Sequence, residues 1–325
     1  MNGVQQYENT IEKRINNIII AYPSLEGFSN YIHTKGTLTT NYSYLLHITR
    51  FLNKYDKDFS QITFDDYISY LASLRQTTNG YQRCAYFALK RFSEYLVYSR
   101  KTSIDYMKDI VAPKNIESIE TKEKREIGFL TKKEVDNIFE NIKYGVGNDR
   151  AVAKQKEWKE RDLAIIYLFL STGIRCSAMY KLDINNIDWD NGTLIVIDKG
   201  SKVHKYVLSP KVMTALRIWM IRRNELLKGK EESALFISYR KTRLGNLGIA
   251  KIVEKYAYNI KGKHITPHKL RATFGTQLYN ETRDIKFVQD QMGHSNPKTT
   301  ELYIRGNRDA DRQKAADIMS KFLNS

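Results

Sequence analysis

Leu163-Ala164-Ile165-Ile166-Tyr167-Leu168-Phe169-Leu170 runs without a break into Ser171-Thr172-Gly173-Ile174-Arg175. A helix over the first eight of these residues is apolar nearly all round, which predicts the central helix of a domain core. Upstream, a Lys-rich stretch at 154–161 leads into it. Further upstream, Thr131-Lys132-Lys133-Glu134 has the form of a capping box ahead of Val135, Ile138 and Phe139, so a helix and a new domain begin there. Downstream, Leu194–Asp198 and Val203–Leu208 alternate β-branched residues around Lys199-Gly200-Ser201-Lys202, a hairpin pattern. Ser209-Pro210 and Thr266-Pro267 each place an N-cap residue before proline at the first helical position. Residues of about 309–323 predict a last amphipathic helix, with Ile318, Met319, Phe322 and Leu323 on one side.

Ahead of this domain the pattern changes. Residues 113–128 hold Pro113 and then alternating Glu and Lys, a solvated linker. Residues 1–112 form a smaller helical domain in which three helices are legible between Thr39 and Arg100. Tyr42, Leu45, Leu46, Thr49, Phe51 and Leu52 line the first. Phe64, Tyr67, Ile68, Leu71 and Leu74 line the second, capped by Thr63. Tyr81, Ala85, Phe87, Ala88, Phe92, Tyr95 and Leu96 line the third, after an expected turn at Asn79-Gly80. Their helical period assigns these aromatics to a core rather than to base stacking. The expected fold is mainly α in two domains: this one, and an α-rich domain at 129–325 with a small β-element.

The chain has 325 residues, with 53 Lys and Arg against 36 Asp and Glu, a net +17. Most of the excess lies beyond residue 118, which points to a polyanionic partner such as nucleic acid. Two cysteines, Cys84 and Cys176, cannot build a disulfide framework and read as buried thiols in a reducing compartment. No signal-like segment or membrane span is legible, so a soluble cytoplasmic protein is expected.

Arg175, Lys199, His268, Arg271, His294 and Tyr303 together suit phosphodiester cleavage by in-line attack. Each guanidinium offers a planar fork of donors to phosphate, so Arg175 and Arg271 are the candidates for holding the non-bridging oxygens. Lys199, on a hairpin tip, can protonate the leaving 5′-oxygen, although Lys202 and Lys205 share that hairpin. His268 can accept a proton from the nucleophile and His294 can donate to the phosphate. Tyr303 is then the nucleophile, leaving a covalent phosphotyrosine. Alone, each of these residues reads as an ordinary core or surface side chain, Tyr303 being one tyrosine among 22. Their conjunction carries the reading.

Thr172-Gly173-Ile174-Arg175, Lys199-Gly200-Ser201-Lys202, Pro267-His268-Lys269-Leu270-Arg271, Gly293-His294-Ser295 and Thr299-Thr300 ahead of Tyr303 resemble the tyrosine recombinases, both phage-type integrases and Xer-type recombinases. The resemblance implies a SAM-like core-binding domain and the recombinase catalytic fold, closing as a clamp on duplex DNA. It implies Arg175 and Arg271 on the scissile phosphate, Lys199 as general acid, His268 as general base, His294 as a second phosphate donor and Tyr303 as nucleophile. It also implies a 3′-phosphotyrosine intermediate, a Holliday junction, and a homotetramer joining two sites with short inverted-repeat cores. The last helix, about 309–323, would dock on a neighbouring protomer or pack back on its own domain. Ala178 and Ala272 stand where many relatives have Glu and His, and Ala178 implies that whatever orients Arg175 differs here.

The sequence shows no clustered metal ligands and no phosphate-cradling Gly-rich loop, so neither metal nor nucleotide cofactor is expected. The expected role is integration or excision of a mobile element, or Xer-type resolution, on nucleoid DNA. A type IB topoisomerase-like enzyme and a non-cutting DNA-binding regulator remain the alternatives.

Overall fold

A computed structural model describes residues 3–114, 128–197, 203–293 and 319. They fall into two compact units, one within Val4–Ser118 and the other within Ile119–Ser325, to which Gly3 also belongs.

The first unit is helical: α1 (Gly3–Ala21), α2 (Glu26–His33), α3 (Leu38–Tyr55), α4 (Phe64–Ser73) and α5 (Asn79–Tyr98). Its core joins Leu25, Phe28 and Ile32 of the α2 region to Leu45, Ile48 and Phe51 of α3, Tyr67 of α4, and Leu89, Phe92 and Leu96 of α5. Phe51 stacks on Tyr67 at 5.1 Å between ring centroids, and Phe28 meets Phe92 edge-on at 5.2 Å. Both geometries suit aromatic quadrupoles. Asn41 is buried on α3 and donates to the backbone and hydroxyl oxygens of Ser29, at 3.1 and 3.0 Å.

Several details depart from the sequence reading. Helices α1 and α2 precede the first helix the periodicity revealed, and Ile11 and Ile15 of α1 belong to the core. Asn79 and Gly80 form no turn; they are the first two residues of α5, whose N-cap is Thr78. Phe64 and Phe87 lie outside the core, 47% and 39% exposed, because Tyr67 and Tyr70 set the buried stripe of α4 and Ala85, Ala88, Leu89 and Phe92 set that of α5. Beyond α5 the chain is stitched back onto it: Tyr86 donates to the carbonyl of Ile110, and Asn79 to that of Lys114.

The second unit contains α6 (Lys132–Tyr144), α7 (Asp149–Thr172), the short α8 (Cys176–Met179), strands β1 (Ile187–Asp188), β2 (Thr193–Ile197) and β3 (Val203–Val207), then α9 (Pro210–Leu227), α10 (Asn246–Tyr256), α11 (Pro267–Thr282) and α12 (Ile285–Met292). The capping box at α6 is complete: Thr131 and Glu134 satisfy each other's backbone N–H groups. Helix α7 starts at Asp149, well before its apolar run, and Ala164, Ile165, Ile166, Leu168 and Phe169 are fully buried. It lies at the centre, packed on α6, α9 and α11.

A buried ionic knot ties α7 to α10. Asp162 accepts from Arg161 (2.9 and 2.8 Å), from the hydroxyl of Tyr256 (2.8 Å) and from Lys255 (3.1 Å). The strands form an antiparallel sheet in the order β1-β2-β3, with Leu194 opposite Tyr206 and Val196 opposite His204. Successive side chains alternate faces, so Leu194, Val196 and Tyr206 are buried while Ile195, Val203 and Val207 point outward. The third strand, β1, was not legible in the sequence.

Candidate active site

Helix α7 ends at Gly173, which takes φ +59° and donates its N–H back to the carbonyl of Phe169. That left-handed cap suits glycine, and the close approach of Phe274 of α11 makes it necessary: an added Cβ would sit 2.4 Å from the Phe274 Cδ1 atom. Thr172 closes the turn by donating to Leu168 (2.6 Å) and accepting from the Ile174 N–H (3.2 Å). Two residues past the cap, Arg175 starts α8 at the surface of the core. Its neighbour Cys176 is half-buried against the carbonyl of Asn246, and burial pushes its thiol up to about 12.

Arg271 reaches the same turn from the second turn of α11. It is only 4% exposed, and it donates to the carbonyls of Gly173 and of Met292, the latter at 2.5 Å. The same guanidinium therefore binds the end of α7 and the end of α12. Helix α11 is anchored in turn by Thr273, whose hydroxyl accepts from the Leu130 N–H at 2.8 Å. His268 lies one helical turn before Arg271 and is exposed, so its ring is open to a substrate.

The strand side closes the site. Gly293, at φ +61°, caps α12 and lies against the ring of His204 on β3, where a Cβ would fall 2.3 Å from the Cε1 atom. Two residues along β3, Tyr206 is buried, with ring centroids 6.4 Å from His204. Burial pushes its hydroxyl up, while the Arg271 and Arg175 cations pull it down. Both arginines thus act on one spot beside β3. Two residues before Arg271, Lys269 is pushed down by burial and by Lys263.

Of the sequence-predicted residues, the structure brings Arg175 and Arg271 together and sets His268 on the α11 face that Arg271 shares. Lys199, His294, Tyr303 and the expected helix at about 309–323 lie outside the described residues, Met319 excepted. Beside the two arginines lie His204 and Tyr206, which no sequence motif singles out. The available signal was the strand period, which puts both on the inward face.

Residues 128–309, more than half of the chain, match the phage integrase family. The tyrosine recombinase XerS of Streptococcus thermophilus is 32% identical over 262 residues, covering 78% of this chain and 70% of that protein. The tyrosine recombinase XerC of Alcanivorax borkumensis is 31% identical over 172 residues, so the chain spans about half the length of that relative, 54%. In fold, the chain is similar to a crystal structure of the XerH site-specific recombinase in a post-cleavage complex with its palindromic difH substrate. The TM-score is 0.63 at 21% identity, over 86% of this chain and 79% of that one. The chain belongs to the phage integrase family, the tyrosine recombinases.

Proposed function

We propose that the protein is a site-specific recombinase that cuts and rejoins duplex DNA through Tyr303. The observation that carries this reading is the meeting of Arg271 with the Gly173 turn that presents Arg175. With Arg271 bound to the turn that leads into Arg175, the two guanidiniums can offer donor forks to a single phosphate. Arg271 is desolvated, so its interaction with phosphate charge is screened less than at an open surface.

In the proposed reaction the Tyr303 hydroxyl attacks the scissile phosphorus in line. Its proton passes to His268 as the new bond forms. Arg175, Arg271 and His294 take the charge on the non-bridging oxygens, and Lys199 protonates the departing 5′-oxygen. The product is a 3′-phosphotyrosine, which preserves the energy of the broken phosphodiester. Attack by the 5′-hydroxyl of a partner strand reverses the step and yields a Holliday junction. A homotetramer would hold two sites with inverted-repeat cores. Residues 1–112 would serve as the core-binding domain, 113–128 as linker and 129–325 as the catalytic domain. The role on nucleoid DNA would be integration, excision or Xer-type resolution.

The test is covalent capture on genomic DNA from the source organism. The protein is incubated, denatured, and the ends of the linked fragments are sequenced. Enrichment at one short inverted repeat supports the reading. Adducts scattered without sequence preference favour a relaxing enzyme of topoisomerase type. Binding without any adduct favours a regulator that does not cut.

A further inference from the structure

We propose, resting on the recombinase reading above, that Tyr206 is a further phosphate-contacting residue of this site, its phenol donating to a non-bridging oxygen that Arg175 and Arg271 also hold. Three observations converge on it.

The first is burial without a protein partner. Tyr206 is 8% exposed although β3 is an edge strand, and it faces inward opposite Leu194. Among the described residues its hydroxyl makes no hydrogen bond. The hydroxyl is not among the fully buried, unpartnered side-chain atoms of the described residues, so the ring is packed while its O–H stays reachable by a bound group.

The second is place. Met292 accepts from Arg271, Gly293 follows it, and the ring of His204 lies against Gly293. Tyr206 is the next inward-facing residue of the same strand. A continuous path of contacts thus leads from the buried arginine to this phenol.

The third is charge. Arg271 and Arg175 both act on the hydroxyl, yet burial outweighs them and keeps the phenol protonated at neutral pH. A neutral O–H beside two cations turns its proton away from them, toward an anion. It is therefore a donor and not a second nucleophile. No bond forms or breaks at Tyr206.

The test is Tyr206→Phe, which keeps the ring and removes the donor. A fragment recovered by covalent capture is synthesised twice, with the ordinary phosphodiester at the cleaved bond and with a neutral methylphosphonate there. The variant should form the adduct about 10- to 100-fold more slowly on the phosphodiester, the range for losing one donor to a charged group. On the methylphosphonate the loss should shrink to under about 3-fold, since the charge that the donor serves is gone. An equal loss on both substrates would mark a packing role and overturn the proposal, as would no loss on either. Orthovanadate, titrated into the DNA-free protein and followed by vanadium-51 NMR, gives an arm that needs no cleavage. Its dissociation constant should rise about 10-fold in the variant; an unchanged constant overturns the proposal. If the unaltered protein forms no adduct at all, the recombinase reading falls, and the vanadate arm still decides Tyr206.

Discussion

The guanidinium of Arg271 donates to the carbonyl of Gly173, the residue that ends the central helix of the second unit two positions before Arg175. One hydrogen bond therefore fixes one candidate phosphate ligand relative to the backbone that carries the other. The core helix and the site are built on the same turn, so changes to the turn should register in both stability and chemistry.

Gly173→Ala tests that coupling. The methyl group would require a non-glycine residue at φ +59° and would overlap Phe274. The expected cost is about 2–5 kcal/mol of unfolding free energy, from backbone strain and overpacking together. Urea unfolding measures it, and DNA adduct formation should fall in the folded fraction as well. A variant with unaltered stability would show that the turn relaxes freely.

The buried knot around Asp162 predicts an unequal pair of effects. Asp162→Ala leaves Arg161 and Lys255 without their shared carboxylate and should cost about 3–5 kcal/mol. Tyr256→Phe removes one neutral donor to the same carboxylate and should cost about 1–2 kcal/mol. Denaturant midpoints of the two variants check the order. Equal costs would contradict it.

Acid should weaken the first unit through Asp66. Burial pushes its carboxyl up, but hydrogen bonds from Lys57 and from the Thr63 backbone and hydroxyl outweigh that and hold it below the ordinary value of 3.8. A carboxylate lowered in the folded state contributes stability above its unfolded pKa, and loses it as pH falls through the lowered folded value. The contribution should be complete above about pH 5 and drain away below about pH 4. Asp66→Asn should flatten that limb of the stability–pH curve; an unchanged slope would remove Asp66 from the account.

Much of this was legible because local and tertiary preferences agree. The capping box at Thr131 and Glu134, the all-round apolar run of α7 and the alternation in β2 and β3 each have one physical solution. Helix α1 escaped notice because it buries few residues, chiefly Ile11 and Ile15, so its period is faint. The Asn79-Gly80 pair carries a strong turn signal, and the cap at Thr78 overrides it. Arg175, His268 and Arg271 stand out as candidates through their motifs, whereas Tyr206 does not. In sequence it is one more inward residue of a short strand, separated from Arg175 and Arg271 by other elements.

The most direct test of the central claim is to identify the residue that carries the DNA. Adduct formed by the intact protein is digested with nuclease and protease, and the nucleotide-bearing peptide is sequenced by mass spectrometry, with Tyr303→Phe in parallel. The expected result is a nucleotide on Tyr303, attached through its 3′-phosphate, and no adduct from the variant, which still binds DNA. A nucleotide on any other residue, or an adduct that survives Tyr303→Phe, would contradict it.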